Sequence, residues 1–191
     1  MRALVLLATL LGLATSLEAQ GRHPNARHGF WVGFGLGSGS VGLSCDSCST
    51  DRIASFSGYL RAGGTLSSNV LLGGETNGWT HSKGGVDESV GYGSFVVLWY
   101  PSSAGAFYLK AGFGGMSYRG DDGVDVLTAT APAASLGLGY EIRVGRNYSI
   151  VPYLNSLASA AVKLKLNGQA FSSGQDVSIT LVQFGLGVTW H

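Results

Sequence analysis

The hydrophobic pattern of this chain has a period of two. From Val182 to His191 it reads V-Q-F-G-L-G-V-T-W-H, so Val182, Phe184, Leu186, Val188 and Trp190 share one side of a strand. Gln183, Gly185, Gly187, Thr189 and His191 share the other. Alternation of this kind marks a strand with one apolar face and one small or polar face. It recurs in eight segments: residues 29–37, 53–66, 69–80, 90–100, 106–118, 131–143, 148–166 and 177–190. In the fifth, Phe107, Leu109, Ala111 and Phe113 alternate with Tyr108, Lys110, Gly112 and Gly114. The fourth is apolar on both sides near its end and its faces cannot be assigned. The seventh is interrupted by Pro152. In the eighth the apolar positions switch from odd to even, which a bulge near Leu181, or an upper portion beyond the lipid, would explain.

The connections alternate as well. Residues 67–68, 101–105 and 144–147 are short and turn-like, whereas 38–52, 81–89, 119–130 and 167–176 are longer and more polar. Short turns on one side and long loops on the other, with both termini on the short side, is the order of an up-and-down membrane barrel.

The start of the chain agrees. Arg2 precedes an apolar run from Ala3 to Ala14, and Ala19 is a small residue suited to cleavage. Residues 1–20 read as a secretory signal peptide. The run is too short for a comfortable membrane anchor, and no Cys follows it as a lipoprotein would require. This leaves a short N-terminal segment, residues 21–28, and a barrel domain, residues 29–191.

Composition narrows the picture. Glycine supplies 31 of 191 residues, against an average usage of roughly 7%. Glycine costs about 1 kcal/mol at an interior helical position, so a helical bundle is disfavoured, whereas a narrow barrel needs small residues on its inner wall. Only 12% of residues are charged and the formal net charge is +1, which leaves no electrostatic footprint for nucleic acid. The expected fold is all-β: an eight-stranded antiparallel up-and-down transmembrane β-barrel following a signal peptide.

Aromatic residues sit near the predicted strand ends. Trp99, Tyr100 and Trp190, with Tyr148, are expected at the periplasmic interface, and Trp79 and Tyr118 at the outer one, where amphipathic rings prefer to lie. Together with glycine–aromatic strands such as Lys110-Ala111-Gly112-Phe113-Gly114, these features resemble the small outer-membrane β-barrels of Gram-negative bacteria, the outer membrane protein A and X family. The resemblance covers residues 29–191. It implies a bacterial outer-membrane location, contact with outer-membrane lipid and lipopolysaccharide, and handling by periplasmic chaperones and the barrel-assembly machinery. That machinery would read Phe184, Leu186, Val188 and Trp190 as the C-terminal signal. Members usually end on the aromatic; here His191 follows it.

Five charges fall on the inward face: Arg61, Glu75, Lys110, Glu141 and Arg143. The interior of an eight-stranded barrel is filled by side chains, and buried charges must pair. They are expected to form a lumen salt-bridge network. Interior salt bridges of related small barrels have been discussed as gates, so a narrow conducting lumen is the alternative. A third reading, a soluble periplasmic barrel binding a small ligand, would invert inside and outside.

Other motifs carry less. Cys45 and Cys48 are expected to staple the first loop as a disulfide in an exported chain; zinc would need a second pair of ligands. Gly37 to Gly42 matches G-x-G-x-x-G, but no helix-forming sequence follows it. Asp121, Asp122 and Asp125 lack calcium-loop spacing and read as a solvated loop. His23, His28, His81 and His191 form no hydrolase motif: His81 and Ser82 are adjacent, and no G-x-S-x-G is present. The chain is therefore expected to be no enzyme and to use no cofactor or metal. Surface partners would be met by the loops.

Overall fold

The computed structural model describes residues 27–45, 48–49, 51–171 and 177–191. The predicted signal peptide lies outside the described residues. The described chain is built of strands: β1 (Phe30–Cys45), β2 (Cys48–Ser49), β3 (Ile53–Ser67), β4 (Val70–Lys83), β5 (Val86–Trp99), β6 (Phe107–Asp121), β7 (Val126–Tyr140), β8 (Ile142–Arg143), β9 (Tyr148–Ser159), β10 (Lys163–Leu166), β11 (Gln169–Phe171) and β12 (Val177–Trp190).

Eight of these close a barrel. Neighbours pair antiparallel in the order β1, β3, β4, β5, β6, β7, β9, β12, and β12 returns to β1. Closure leaves the wall without a free sheet edge, the condition for strands to cross a bilayer. Paired residues trace the stagger: Val32, Ala62, Gly74, Phe95, Phe113, Ala134, Ala158, Thr180 and then Gly42, ten residues beyond the start on β1. A shear of ten on eight strands tilts them by about 40° from the axis.

The strands run further than the sequence pattern indicates. Residues 81–89 are not a long loop: β4 and β5 continue to a two-residue turn at Gly84 and Gly85, both at positive φ (63° and 83°). That turn twists with its strands and only glycine-like residues adopt it readily. β1 continues to Cys45, and β6 and β7 meet through residues 122–125. Segment 148–166 is not one strand. β9 stops at Ser159, and β10 turns through Asn167 and Gly168 into β11 while pairing with the upper end of β7. β7 and β8 separate opposite Pro152, which has no N–H to donate to the ladder.

No bulge lies near Leu181. β12 pairs residue for residue with β1 from Cys45↔Val177 to Val32↔Trp190. Odd positions face the lumen throughout, from Ile179 to Thr189. What changes is chemistry. Below, Phe184, Leu186 and Trp190 are apolar and outward; above, Ile179 and Leu181 are apolar and inward. β4, β5 and β6 repeat this exchange, with Trp79, Val90 and Met116 inward at their upper ends; β3 does not, since it keeps Phe56 outward and Ser57 inward.

Candidate functional site: the filled lumen

Side chains fill the barrel in three layers. The lowest is aromatic and aliphatic: Trp31, Leu71, Leu98, Tyr100, Tyr108 and Val151 are all buried. The middle layer is polar. The highest, formed by Val41, Trp79, Val90, Tyr92, Met116 and Leu181 with their neighbours, is apolar again.

The middle layer holds three of the five predicted charges. Lys110 on β6 pairs with Glu75 on β4, both side chains fully buried, and Asn77 Nδ2 donates to the same Glu75 Oε1 at 2.8 Å. Arg61 is buried beside them but has no carboxylate in ion-pair contact among the described residues. Its Nη2 donates to Tyr108 Oη at 2.9 Å and, more weakly, to Thr189 Oγ1 at 3.5 Å. Its guanidinium stands over the rings of Tyr59 and Tyr108 at 4.8 and 5.1 Å, where aromatic faces stabilise a cation. Glycines make this crowding feasible. A Cβ at Gly35 would come 2.4 Å from Tyr59 and 2.8 Å from Tyr153, whose rings meet edge to face at 4.8 Å.

Glu141 is elsewhere. It lies at the lower end, in a cluster that joins Arg27, at the start of the described residues, to His191. Arg27 donates to the carbonyls of Gly105 (2.6 Å) and Ser103 (3.2 Å) and to Glu141 Oε2 (3.4 Å), and it stacks 3.5 Å over Tyr100. Tyr100 Oη donates to Glu141 Oε1 at 2.6 Å, and His191 Nε2 lies 3.2 Å from the same oxygen. Arg143 joins neither cluster. It is half-buried on β8 opposite Ser149 and forms no ion pair among the described residues.

Three predicted interface aromatics lie inside instead. Trp79 is buried and donates from Nε1 to the Gly39 carbonyl at 3.0 Å. Tyr100 is in the lower cluster, and Tyr118 points inward with Oη on Glu88 Oε1 at 2.5 Å. The reason is parity: Trp79 shares the face of Glu75 and Asn77, Tyr118 that of Lys110, and Tyr100 that of Leu98. Trp99 and Trp190 do face outward, as do Phe184 and Leu186, with Val188 on the same side.

Sequence reasoning missed Arg27, Tyr108, Thr189 and the role of His191. Tyr108 and Thr189 were legible from alternation, since each is inward by parity. Arg27 precedes β1 and no periodicity reaches it.

At the upper rim Cys45 is disulfide-bonded and stands opposite Cys48 in the β1–β2 pairing. His81 and Ser82 are strand residues of β4, and His81 stacks on Trp79 at 5.9 Å. In the β6–β7 turn, Asp122 accepts from the N–H groups of Asp125 and Val124, and these bonds hold its carboxyl below the usual range. The G-x-G-x-x-G match lies wholly within β1.

No protein family model matches the chain, and no curated protein is detectably similar in sequence. Solved structures are similar in fold. Neisserial surface protein A aligns with 84% of this chain and 96% of its own, at 12% identity and a TM-score of 0.54. Ail, the attachment invasion locus protein of Yersinia pestis, aligns over 85% and 99% at 13% identity and a TM-score of 0.52. The outer membrane protein OprG from Pseudomonas aeruginosa aligns over 88% and 100% at 12% identity and a TM-score of 0.51. The fold is that of the small bacterial outer-membrane β-barrels.

Proposed function

We propose that this protein is an outer-membrane β-barrel with a sealed lumen, acting at the cell surface through its outer hairpins. Its outward apolar band supports the membrane placement. Phe34, Leu60, Phe95, Phe113, Leu136 and Phe184, on six of the eight wall strands, are 51 to 69% exposed, a belt that lipid covers and water would not. A soluble ligand-binding barrel would turn that belt inward.

The observation that carries the sealed lumen is its layering. A solute must pass the aromatic floor, the Lys110–Glu75 pair and the apolar upper layer. The rigid wall leaves recognition to the exposed hairpin tips at Gly84–Gly85, residues 122–125 and Asn167–Gly168, since loops on a fixed scaffold carry binding. Purified protein in planar bilayers is expected to give no steady conductance above the bare bilayer. A steady ionic current would overturn the sealed lumen and support the narrow-channel reading.

One observation favours that second reading. Several middle-layer atoms have no hydrogen-bond partner among the described residues: Arg61 Nε, Tyr59 Oη, Tyr153 Oη, Glu75 Oε2 and Asn77 Oδ1. Buried polar groups of this kind are commonly satisfied by water. A wet middle layer conducts only if the layers above and below it open.

A further inference from the structure

The lumen buries more positive than negative charge. The buried charged side chains among the described residues are Arg27, Arg61, Lys110, Glu75 and Glu141, three cations against two carboxylates. Arg27 is matched by Glu141 and Lys110 by Glu75. Arg61 is left over. A guanidinium keeps its proton inside a protein, so this charge cannot be shed. Tyr108, Thr189 and the aromatic rings give Arg61 hydrogen bonds and polarisation but no countercharge. Water would do the same, and an uncompensated buried cation is costly.

Unpartnered donors gather on the same side of the lumen. Arg61 Nε, Tyr59 Oη, Tyr153 Oη and Trp31 Nε1 are buried and have no hydrogen-bond partner among the described residues. Tyr59 and Arg61 come from β3 and Tyr153 from β9; between these strands run β12 and β1. There the wall is bare, since Gly35 pairs with both Tyr59 and Gly187, and Gly185 pairs with Tyr153. A Cβ at Gly33 would lie 3.1 Å from Arg61 Nε and 3.0 Å from Thr189 Oγ1, and one at Gly187 would lie 2.5 Å from Tyr59 Oη. These polar atoms thus face backbone rather than side chains. The unpartnered acceptors, Glu75 Oε2 and Asn77 Oδ1, are on β4 beside Lys110. Donors and acceptors are segregated, and the donor side carries the surplus charge.

We propose that the middle layer binds one halide ion, chloride in the first instance, against the glycine wall of β1 and β12. Arg61 Nε and the hydroxyls of Tyr59 and Tyr153 are its donors. A spherical ion suits them better than an oxyanion. Arg61 Nη2, which a bidentate oxyanion would share with Nε, is already engaged by Tyr108 and Thr189. The aromatic floor and the apolar upper layer enclose the ion once the barrel closes. This inference is independent of whether the lumen conducts, which bilayer current decides separately.

Equilibrium unfolding by urea in detergent micelles tests it, with chloride exchanged for gluconate at constant ionic strength. An ion bound only by the folded barrel raises the folding equilibrium constant about tenfold for each tenfold rise in chloride above its dissociation constant. The parent protein should show that dependence, and Arg61→Met should lose it because the surplus charge is gone. Should Arg61→Met fail to fold, Tyr59→Phe removes one donor and should need several-fold more chloride for the same gain. Arg143→Met, outside the layer, should match the parent. Crystals grown in bromide should show anomalous density touching Arg61 Nε. Three results would overturn the proposal: a parent indifferent to chloride, which means that the lumen balances its charge without an ion, by a neutral Lys110; equal dependence in the parent and in the Arg61 or Tyr59 variant, which makes it a general salt effect; and bromide found only away from Arg61, which makes it an adventitious ion only.

Discussion

Phe184 and Leu181 are three positions apart on β12 and lie on opposite sides of the barrel wall. Phe184 is 61% exposed to the outside, and Leu181 is completely buried in the lumen. No irregularity separates them, since β12 keeps one register with β1 and β9 through both. Between these residues the apolar side of β12 passes from outward to inward.

The Lys110–Glu75 pair makes a sharp prediction for stability. Replacing Lys110 with Met leaves a buried carboxylate unpaired, which costs about 3–5 kcal/mol. The unfolding midpoint in detergent should fall accordingly. Adding Glu75→Gln should recover part of that loss, because the orphaned charge is then gone. A Lys110→Met protein as stable as the parent would show that the pair is not structural.

Gly35 faces two tyrosines. Gly35→Ala places a Cβ against the rings of Tyr59 and Tyr153. Overpacking of this kind costs about 1–3 kcal/mol. Gly78→Ala is the control, since a Cβ there meets nothing within 4 Å. Heat-modifiability midpoints should fall for the first variant and hold for the second.

The four tryptophans divide by environment. Trp99 and Trp190 face outward, while Trp31 and Trp79 lie in the lumen. Brominated lipids should quench fluorescence from single-tryptophan proteins retaining Trp99 or Trp190, and leave those retaining Trp79 or Trp31 bright. Strong quenching of Trp79 would return it to the outer interface.

The lower cluster ties the two ends of the described chain to Glu141. Arg27→Ala removes three hydrogen bonds and the stack on Tyr100, whereas His191→Ala removes one contact with Glu141. Amide exchange in residues 141–150 should therefore accelerate more in the Arg27 variant. Equal exchange in both would mean that the arginine does not hold this end shut.

Period-two alternation made the barrel, its strand count and its inward charges legible in the sequence. It also contained two facts that other signals obscured. Trp79, Tyr100 and Tyr118 are inward by parity with Glu75, Leu98 and Lys110, but their position near strand ends suggested a girdle. The outer halves of β4 and β5 looked like a loop because the outward side turns polar above Phe95, leaving Ser89 and Asp87 where lipid-facing residues would be. Their strand character persists because the inward side carries the apolar load, with Tyr92 and Val90 in the upper core. A search for one apolar face loses such a strand where the face changes sides. The Arg27 contacts depend on a segment outside the strands, where no periodic rule applies.

The change of side along β12 is tested most directly by nitroxide side chains at its outward positions, Val188, Phe184, Thr180 and Ser178, in an outer-membrane bilayer. Collision with oxygen should dominate at 188 and 184, and collision with a water-soluble nickel chelate at 180 and 178, with the crossover at Val182. Oxygen dominance persisting to 178 would place the upper strand in hydrocarbon and contradict an upper wall above the lipid.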